Sequence, residues 1–396
     1  MPTPKTNVWL LTLIQSLVMC VGTMMVLVGG VFGAQIAPMA SMSTLPLAMM
    51  IVGLALGVLP ITRLMQHVGR RPVFMALAII ASLVCLFAAL CVYQRHFWGF
   101  TLSSFCLGIT SAGFQQIRFA AMEAVVPEKM AKAASTVLLG GLVAAFLGPQ
   151  LVSLGTLVSH IDFVGAFVLM AVLLVVCSVL FRLTLNTHVP RQAHLGSGRN
   201  LLSIARQPEF VLAVSASVVG YALMSFIMTA TPMHMHVMEH HSLQHTSWVI
   251  QSHIFAMFFP SLFSGWLISK IGVRRIIGLG VVAYLITIVV GLSGSHLINY
   301  WLALVLLGIG WNFLFVGGTV LLTQTYRADE KFKVQGLNEM LVFGCQALAA
   351  LSAGIMLSLL GWQGLLLTSL FLLSYLLVLL LFQRLPLPLQ IKQEFL

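Results

Sequence analysis

The chain has 396 residues, of which 60% are hydrophobic and only 7% charged. Soluble domains carry about 25% charged residues, so a water-soluble globule is excluded, as are disordered and coiled-coil classes, which need charge. The apolar runs are continuous rather than alternating, which excludes an outer-membrane barrel and leaves an all-α polytopic membrane protein. The net charge of +11 comes from 20 Lys and Arg against 9 Asp and Glu. It reads as the positive-inside bias of membrane proteins rather than as a nucleic-acid surface. The six cysteines lie in apolar runs without a CxxC pair, so no disulfide framework is expected. No cleavable signal peptide is expected either, because the first apolar run is too long.

In chain order, twelve segments are apolar over the ~20 residues a spanning helix needs. They are 8–33, 44–65, 72–93, 98–117, 134–157, 164–184, 210–231, 246–268, 276–294, 299–323, 337–360 and 363–383. Connections are short except 185–209, LNTHVPRQAHLGSGRNLLSIARQPE, which is polar, basic and contains Gly and Pro. The predicted organisation is an N-terminal six-helix half (1–184), a central cytoplasmic loop (185–209), and a C-terminal six-helix half with a short cytoplasmic tail (210–396). With the N-terminus inside, every Lys and Arg except Arg95 falls on one side, Arg118 included. The charge bias predicts both termini on the cytoplasmic side, and the expected location is a bacterial inner membrane.

The turn TRLMQHVGRR (62–71) follows span 2, and GWLISKIGVRR (265–275) follows span 8. Each ends in Gly followed closely by Arg-Arg, at the same place in each half. These turns resemble the Gly-x-x-x-Asp-Arg-x-Gly-Arg-Arg motif of the major facilitator superfamily. Gly69, Arg70 and Arg71 match in the first copy, where Thr62, Gln66 and His67 replace the Gly, Asp and Arg. Gly265, Gly272, Arg274 and Arg275 match in the second, with Ser269 in place of the Asp. The resemblance implies a 6+6 pseudo-symmetric fold, gating at these turns, and alternating access by rocking of the halves. In span 5, LGGLVAAFLGP (139–149) reads as a Gly/Pro kink that lets helices approach closely.

Polar groups inside a membrane mark candidate sites. No Asp, Lys or Arg is expected deep within a span, and the nearest acid is Glu339 at the start of span 11. The amide and imidazole side chains in spans are Gln15, Gln115, Gln116, Gln150, Gln251, His253, Asn312, Asn338 and Gln346. His253 and Met257 share a face of span 8, and Met224 and Met228 share a face of span 7. Thioether and imidazole select Cu(I) over hard cations. Met224 and His253 each lie seven residues from the outer ends of their spans, or ~10 Å deep. Packing is the plain alternative for any Met pair in a chain with 21 Met.

This MxxxM/HxxxM arrangement, with GYALMSFIMTATPM and the span-10 stretch LGIGWNFLFVGGTVLL, resembles the CcoA-type copper importers, a branch of the same superfamily. The resemblance implies Met224, Met228, His253 and Met257 as copper ligands, and copper uptake that feeds cytochrome oxidase assembly. A sister branch resembles riboflavin transporters. The outer loop MHMHVMEHHSLQH (233–245) places His234, Met235, His236, His240 and His241 above the expected site as a candidate relay, joined in span 1 by Cys20 and Met24. The leading expectation is therefore a copper importer whose partners are copper, the lipid bilayer and a copper chaperone. The alternative is a transporter of riboflavin or a drug-like organic solute. No resident cofactor, nucleic acid or enzymatic activity is expected: there is no P-loop and no nucleophile–base constellation.

Overall fold

A computed structural model of the chain describes residues 3–39, 42, 45–184 and 199–382, and among these residues there is no strand. The predicted central loop lies partly, and the C-terminal tail from residue 383 wholly, outside the described residues.

The N-terminal half is built from α1 (Pro4–Ile36), α2 (Leu45–Val68), α3 (Arg70–Tyr93), α4 (Phe97–Phe114), α5 (Ile117–Glu123), α6 (Met130–Gly155) and α7 (Val164–Arg182). The C-terminal half follows the short α8 (Leu201–Ala205). It contains α9 (Pro208–Pro232), α10 (Leu243–Phe258), α11 (Ser261–Ile271), α12 (Val273–Leu292), α13 (Leu297–Leu322) and α14 (Lys331–Phe382).

Three of these elements depart from one helix per span. The fourth span continues past a turn at Gln115–Gln116 into α5, so one apolar segment runs from Phe97 to Glu123. The eighth is broken by 41° between α10 and α11. Pro260 at the break has no N–H to give the preceding turn. Asn312 of α13 compensates, donating from Nδ2 to Met257 O and to Ser261 Oγ, both at 2.7 Å. Finally, α14 has 52 residues, ~78 Å if straight, against a hydrocarbon core of ~30 Å. Its non-helical Gly361, with φ 66, divides it into the eleventh and twelfth spans.

The same pairings recur in both halves. Span 1 packs on 5, 2 on 4 and 3 on 6 (α1 on α6, α2 on α4, α3 on α7). Likewise α9 packs on α14, α10 on α13, and α12 on α14. The halves meet where α2 lies along α14 and α6 along α11. A Cβ on Gly265 of α11 would come within 2.7 Å of Ala131 O and 2.8 Å of Lys132 Cα on α6, so this crossing requires glycine. The turns at Gly69 (φ 94) and Gly272 (φ 87) also require it, because a side chain is strained at positive φ.

Candidate functional site

The Arg-rich ends of the helices form one side of the bundle, where the halves are joined by charge. Arg70, at the first residue of α3, turns inward and is buried. Its guanidinium grips Glu123 of α5 with two bonds, Nη2 to Oε1 at 2.8 Å and Nε to Oε2 at 3.2 Å. It also donates to Gln116 Oε1 at 3.0 Å and, across the halves, to Gln335 of α14. Lys331 of α14 donates back to Glu123 at 2.9 Å. Gln335 donates to Tyr326 Oη at 2.6 Å. The Asp missing from the turn motif is thus replaced by a Glu at the end of the fourth span.

Deeper in the bundle, Arg118 of α5 pairs with Glu339 of α14. Both side chains are buried, at 3% and 0% exposure. Asn338 Nδ2 supports the same Glu339 oxygen at 2.9 Å. The Arg118 guanidinium lies over Phe315, 4.2 Å from the ring centre, and over Phe119 at 4.7 Å. The sequence puts Arg118 on the cytoplasmic side, just past the end of span 4, and predicts no Arg deep within a span. The structure corrects this, because the turn at Gln115–Gln116 carries the chain onward as a buried helix. The signal was present in QQIRFAAMEAVV, where a single Arg interrupts an apolar run.

Around Phe315 five aromatic side chains from four helices converge. Tyr221 (α9) touches Trp311, Phe315 and Phe343 edge to face, with centroids 5.2, 4.9 and 5.4 Å away. Trp311 stacks on Phe315 at 5.1 Å and meets Phe258 of α10 at 5.6 Å. Phe258 in turn lies against Gly141 of α6, where a Cβ would come within 2.5 Å of its ring, so the cluster touches the other half. Several buried polar atoms here have no protein partner: Trp311 Nε1 within the cluster, Arg118 Nε beside Phe315, and Asn338 Oδ1 and Glu339 Oε2 next to Arg118. A buried aromatic cluster beside unpaired donors and acceptors has chemistry complementary to a flat, polar-rimmed heterocycle.

The expected copper ligands are divided between two helices that do not pack along one another, with α13 lying against both. Met224, Met257 and His253 are buried, and Met228 is partly buried. His253 Nδ1 is bonded to Leu304 O of α13 at 2.7 Å, and its Nε2 has no partner. Among the described residues no three His, Cys, Asp or Glu side chains gather as a metal site.

The outer tract is less of a free loop than its sequence suggests. Met233–Met238 continues α9 as a wider helical turn. His234 is buried, bonded through Nδ1 to Tyr300 Oη at 2.6 Å and stacked on Trp362 at 4.9 Å. Met235 is buried, and His241 Nε2 bonds Ser295 O at 2.9 Å. His240 is exposed, and the His236 side chain lies outside the described groups. In α1, Cys20 and Met24 are fully buried, and Cys20 Sγ donates to Ser16 O at 3.1 Å. Of the turn residues, Arg71 is half-buried, Arg275 is exposed, and Arg274 pairs with Glu209 at 3.1 Å.

Comparison with known proteins gives this geometry a lineage. The family described as Major Facilitator Superfamily matches residues 8–243 and 216–395. The chain is 38% identical over 368 residues, 91% of both chains, to a protein of Brucella anthropi named "Riboflavin transporter RfnT". It is 26% identical to the uncharacterized MFS-type transporter YdeG of Bacillus subtilis, over 80% of this chain and 77% of that one. Among solved structures, the outward-facing bacterial homologue of the iron transporter ferroportin superposes with a TM-score of 0.71 at 14% identity, covering 95% of this chain and 98% of that one. The outward conformation of FucP gives 0.72 at 12% identity, covering 95% and 98%. At such identities the two structures speak for the fold alone. The chain belongs to the major facilitator superfamily, as a multi-pass secondary transporter.

Proposed function

We infer that the protein imports a flavin-like organic solute, riboflavin being the first candidate, by alternating access across a bacterial inner membrane. The observation that carries this choice of cargo is the 38% identity, over 91% of both chains, to a protein named as a riboflavin transporter. The chemistry of the junction agrees with it. An isoalloxazine ring is flat and aromatic with a rim of imide donors and acceptors, chemistry complementary to the Tyr221–Trp311–Phe315–Phe258 cluster with Arg118 at its edge and Asn338 beside that arginine. The Arg-rich side is read as cytoplasmic. The ion pairs that cross between the halves lie on that side, so the structure is read as closed inward, and import proceeds by opening there.

Copper is the second reading. One feature favours it: the His253 Nδ1 contact with a carbonyl leaves Nε2 unpartnered, the arrangement in which a ligating histidine is usually held. On that reading Met224, Met228 and Met257 complete the ligand set and a copper chaperone receives the ion. One experiment separates the two. Expression in a riboflavin-auxotrophic bacterium should restore growth at low riboflavin and leave cell copper unchanged. Raised copper without rescue would put the copper reading first.

A further inference from the structure

We propose that the side of the bundle opposite the Arg-rich one carries a binding site for a divalent transition-metal ion of the Zn(II) or Cu(II) kind, held between His234 Nε2 and the Glu239 carboxylate. The site stands on its own geometry and is independent of the cargo.

The two residues lie five apart, just past the end of α9, where a continued α-helix would point them ~140° away from each other. The chain instead widens into the turn Met233–Met238, closed by Glu239 N donating to His234 O at 3.0 Å. Such wide turns are rare and are found mostly at functional sites. This one brings His234 Nε2 to 3.8 Å from Glu239 Oε1. That separation is too long for a hydrogen bond. It is a suitable span for an ion bonded to both atoms, because a metal–nitrogen bond of about 2.0–2.1 Å and a metal–oxygen bond of about 2.0–2.2 Å close it with a bent angle at the metal.

The imidazole is held in the way ligating histidines are held. Its Nδ1 is bonded to Tyr300 Oη of α13 at 2.6 Å. With Nδ1–H donating to that oxygen, the lone pair of Nε2 is free for an ion and the ring cannot turn. The ring also lies flat on Trp362, with 4.9 Å between centres and 12° between planes. Trp362 is fixed in turn, because its Nε1 donates to Gly291 O at the end of α12 at 3.1 Å. Both His234 and Glu239 line a cavity of about 360 Å³, which Gly294 and Ser295 before α13, and Gly361 and Gln363 at the break in α14, help to enclose. Among the described residues no third His, Cys, Asp or Glu joins the pair. The other positions around the ion therefore fall to water, as in zinc sites that keep open positions, and the cavity has room for it. One imidazole nitrogen with one carboxylate oxygen suits Zn(II) or Cu(II), whereas Cu(I) prefers sulfur. The site is thus separate in chemistry from the thioether set of the copper reading.

The test uses the full-length protein in detergent, stripped of metal with EDTA and titrated with Zn(II) alone. Saturable binding of one ion per chain is expected, together with a rise in melting temperature as Zn(II) is added. Glu239 is exposed, so Glu239→Gln should fold as the wild type and melt at the same temperature without metal. It should bind Zn(II) at least tenfold more weakly and lose the thermal shift. Tyr300→Phe keeps the ring but frees Nδ1, and should weaken binding by about 10–100-fold. His245→Gln, exposed at the start of α10, should bind as the wild type. With Cu(II) as the probe, the electron spin-echo spectrum should show one imidazole, and His234→Gln should lose it. Absence of saturable binding in the wild type would overturn the proposal. So would Zn(II) affinity that survives Glu239→Gln and Tyr300→Phe but falls in His245→Gln, which would put the ion elsewhere on this side. No outcome depends on riboflavin, so failure here leaves the proposed cargo standing.

Discussion

The two glycine turns carry nearly the same sequence and nearly the same backbone, with φ 94 at Gly69 and 87 at Gly272, yet they do different work. In the N-terminal half, Arg70 is buried at the junction, holds Glu123 with two bonds and reaches Gln335 of the other half. In the C-terminal half, Arg274 is exposed and its bond to Glu209 stays within its own half. A repeated motif thus fixes a repeated turn, while its charges acquire value from whatever the rest of the fold brings alongside. The lesson extends to Arg118, which has no motif at all and makes the most buried ion pair joining the halves.

The largest effect is expected where the charge is most buried. Arg118→Ala leaves Glu339 without its cation and should cost about 3–5 kcal/mol, read as a large fall in melting temperature in detergent and in membrane level. The double variant Arg118→Met with Glu339→Leu should recover most of that stability and still fail to transport. If the single variant melts like the wild type, the pair is not structural.

Next comes the contrast between the turns. Arg70→Ala removes charge-assisted bonds that are worth about 1.5–3 kcal/mol. Arg274→Ala removes a solvent-exposed pair worth less than about 1 kcal/mol. Equal melting temperatures for the two variants would erase the asymmetry. The backbones, by contrast, should behave alike: Gly69→Ala and Gly272→Ala each place a side chain at positive φ, at about 1–3 kcal/mol. A loss at only one of them would show that the turns differ in strain as well as charge.

An effect confined to acid pH concerns the end of the central loop. Glu330 accepts from Arg199 Nη2 at 2.7 Å, Nε at 2.9 Å and the backbone N at 2.8 Å, and these bonds hold its carboxyl down at about 2. A folded-state value below the unfolded one, about 4.3, stabilises the fold above the unfolded value. That stabilisation is lost as pH falls through the folded value. The difference in melting temperature between wild type and Glu330→Gln should therefore be constant from pH 5 to 8 and shrink between about 4 and 2. A difference that changed near neutrality would mean another group is responsible.

Much of the architecture was legible in the sequence because a membrane reads composition directly. The apolar runs follow from the need to satisfy each backbone inside lipid, and the two turns sit where the repeated sequence puts them, at Gly69 and Gly272. The broken spans were harder. Pro260 was visible, but its repair by Asn312 depends on which helix lies beside it. The candidate site was legible only in part. Gln116, Asn312, Asn338 and Glu339 stood out as polar groups in apolar segments, whereas the meeting of Glu339 with Arg118, and the burial of both, depend on α5 turning into the bundle. The Met and His spacing was a true periodicity, but i, i+4 spacing only places two residues on one face. It does not say what that face meets, and α13 lies against both helices. The aromatic cluster left no periodic trace, because its members come one or two at a time from separate helices.

The proposed function is movement of a flavin at the junction of the halves. Its most direct measurement is uptake of radiolabelled riboflavin by the purified protein in liposomes, beside Tyr221→Ala and Met224→Leu. The result expected is saturable uptake in the wild type, loss of most of it in Tyr221→Ala, which removes the ring that touches Trp311, Phe315 and Phe343, and near-normal uptake in Met224→Leu. No riboflavin uptake by a correctly folded wild-type protein, together with copper uptake that Met224→Leu abolishes, would contradict it.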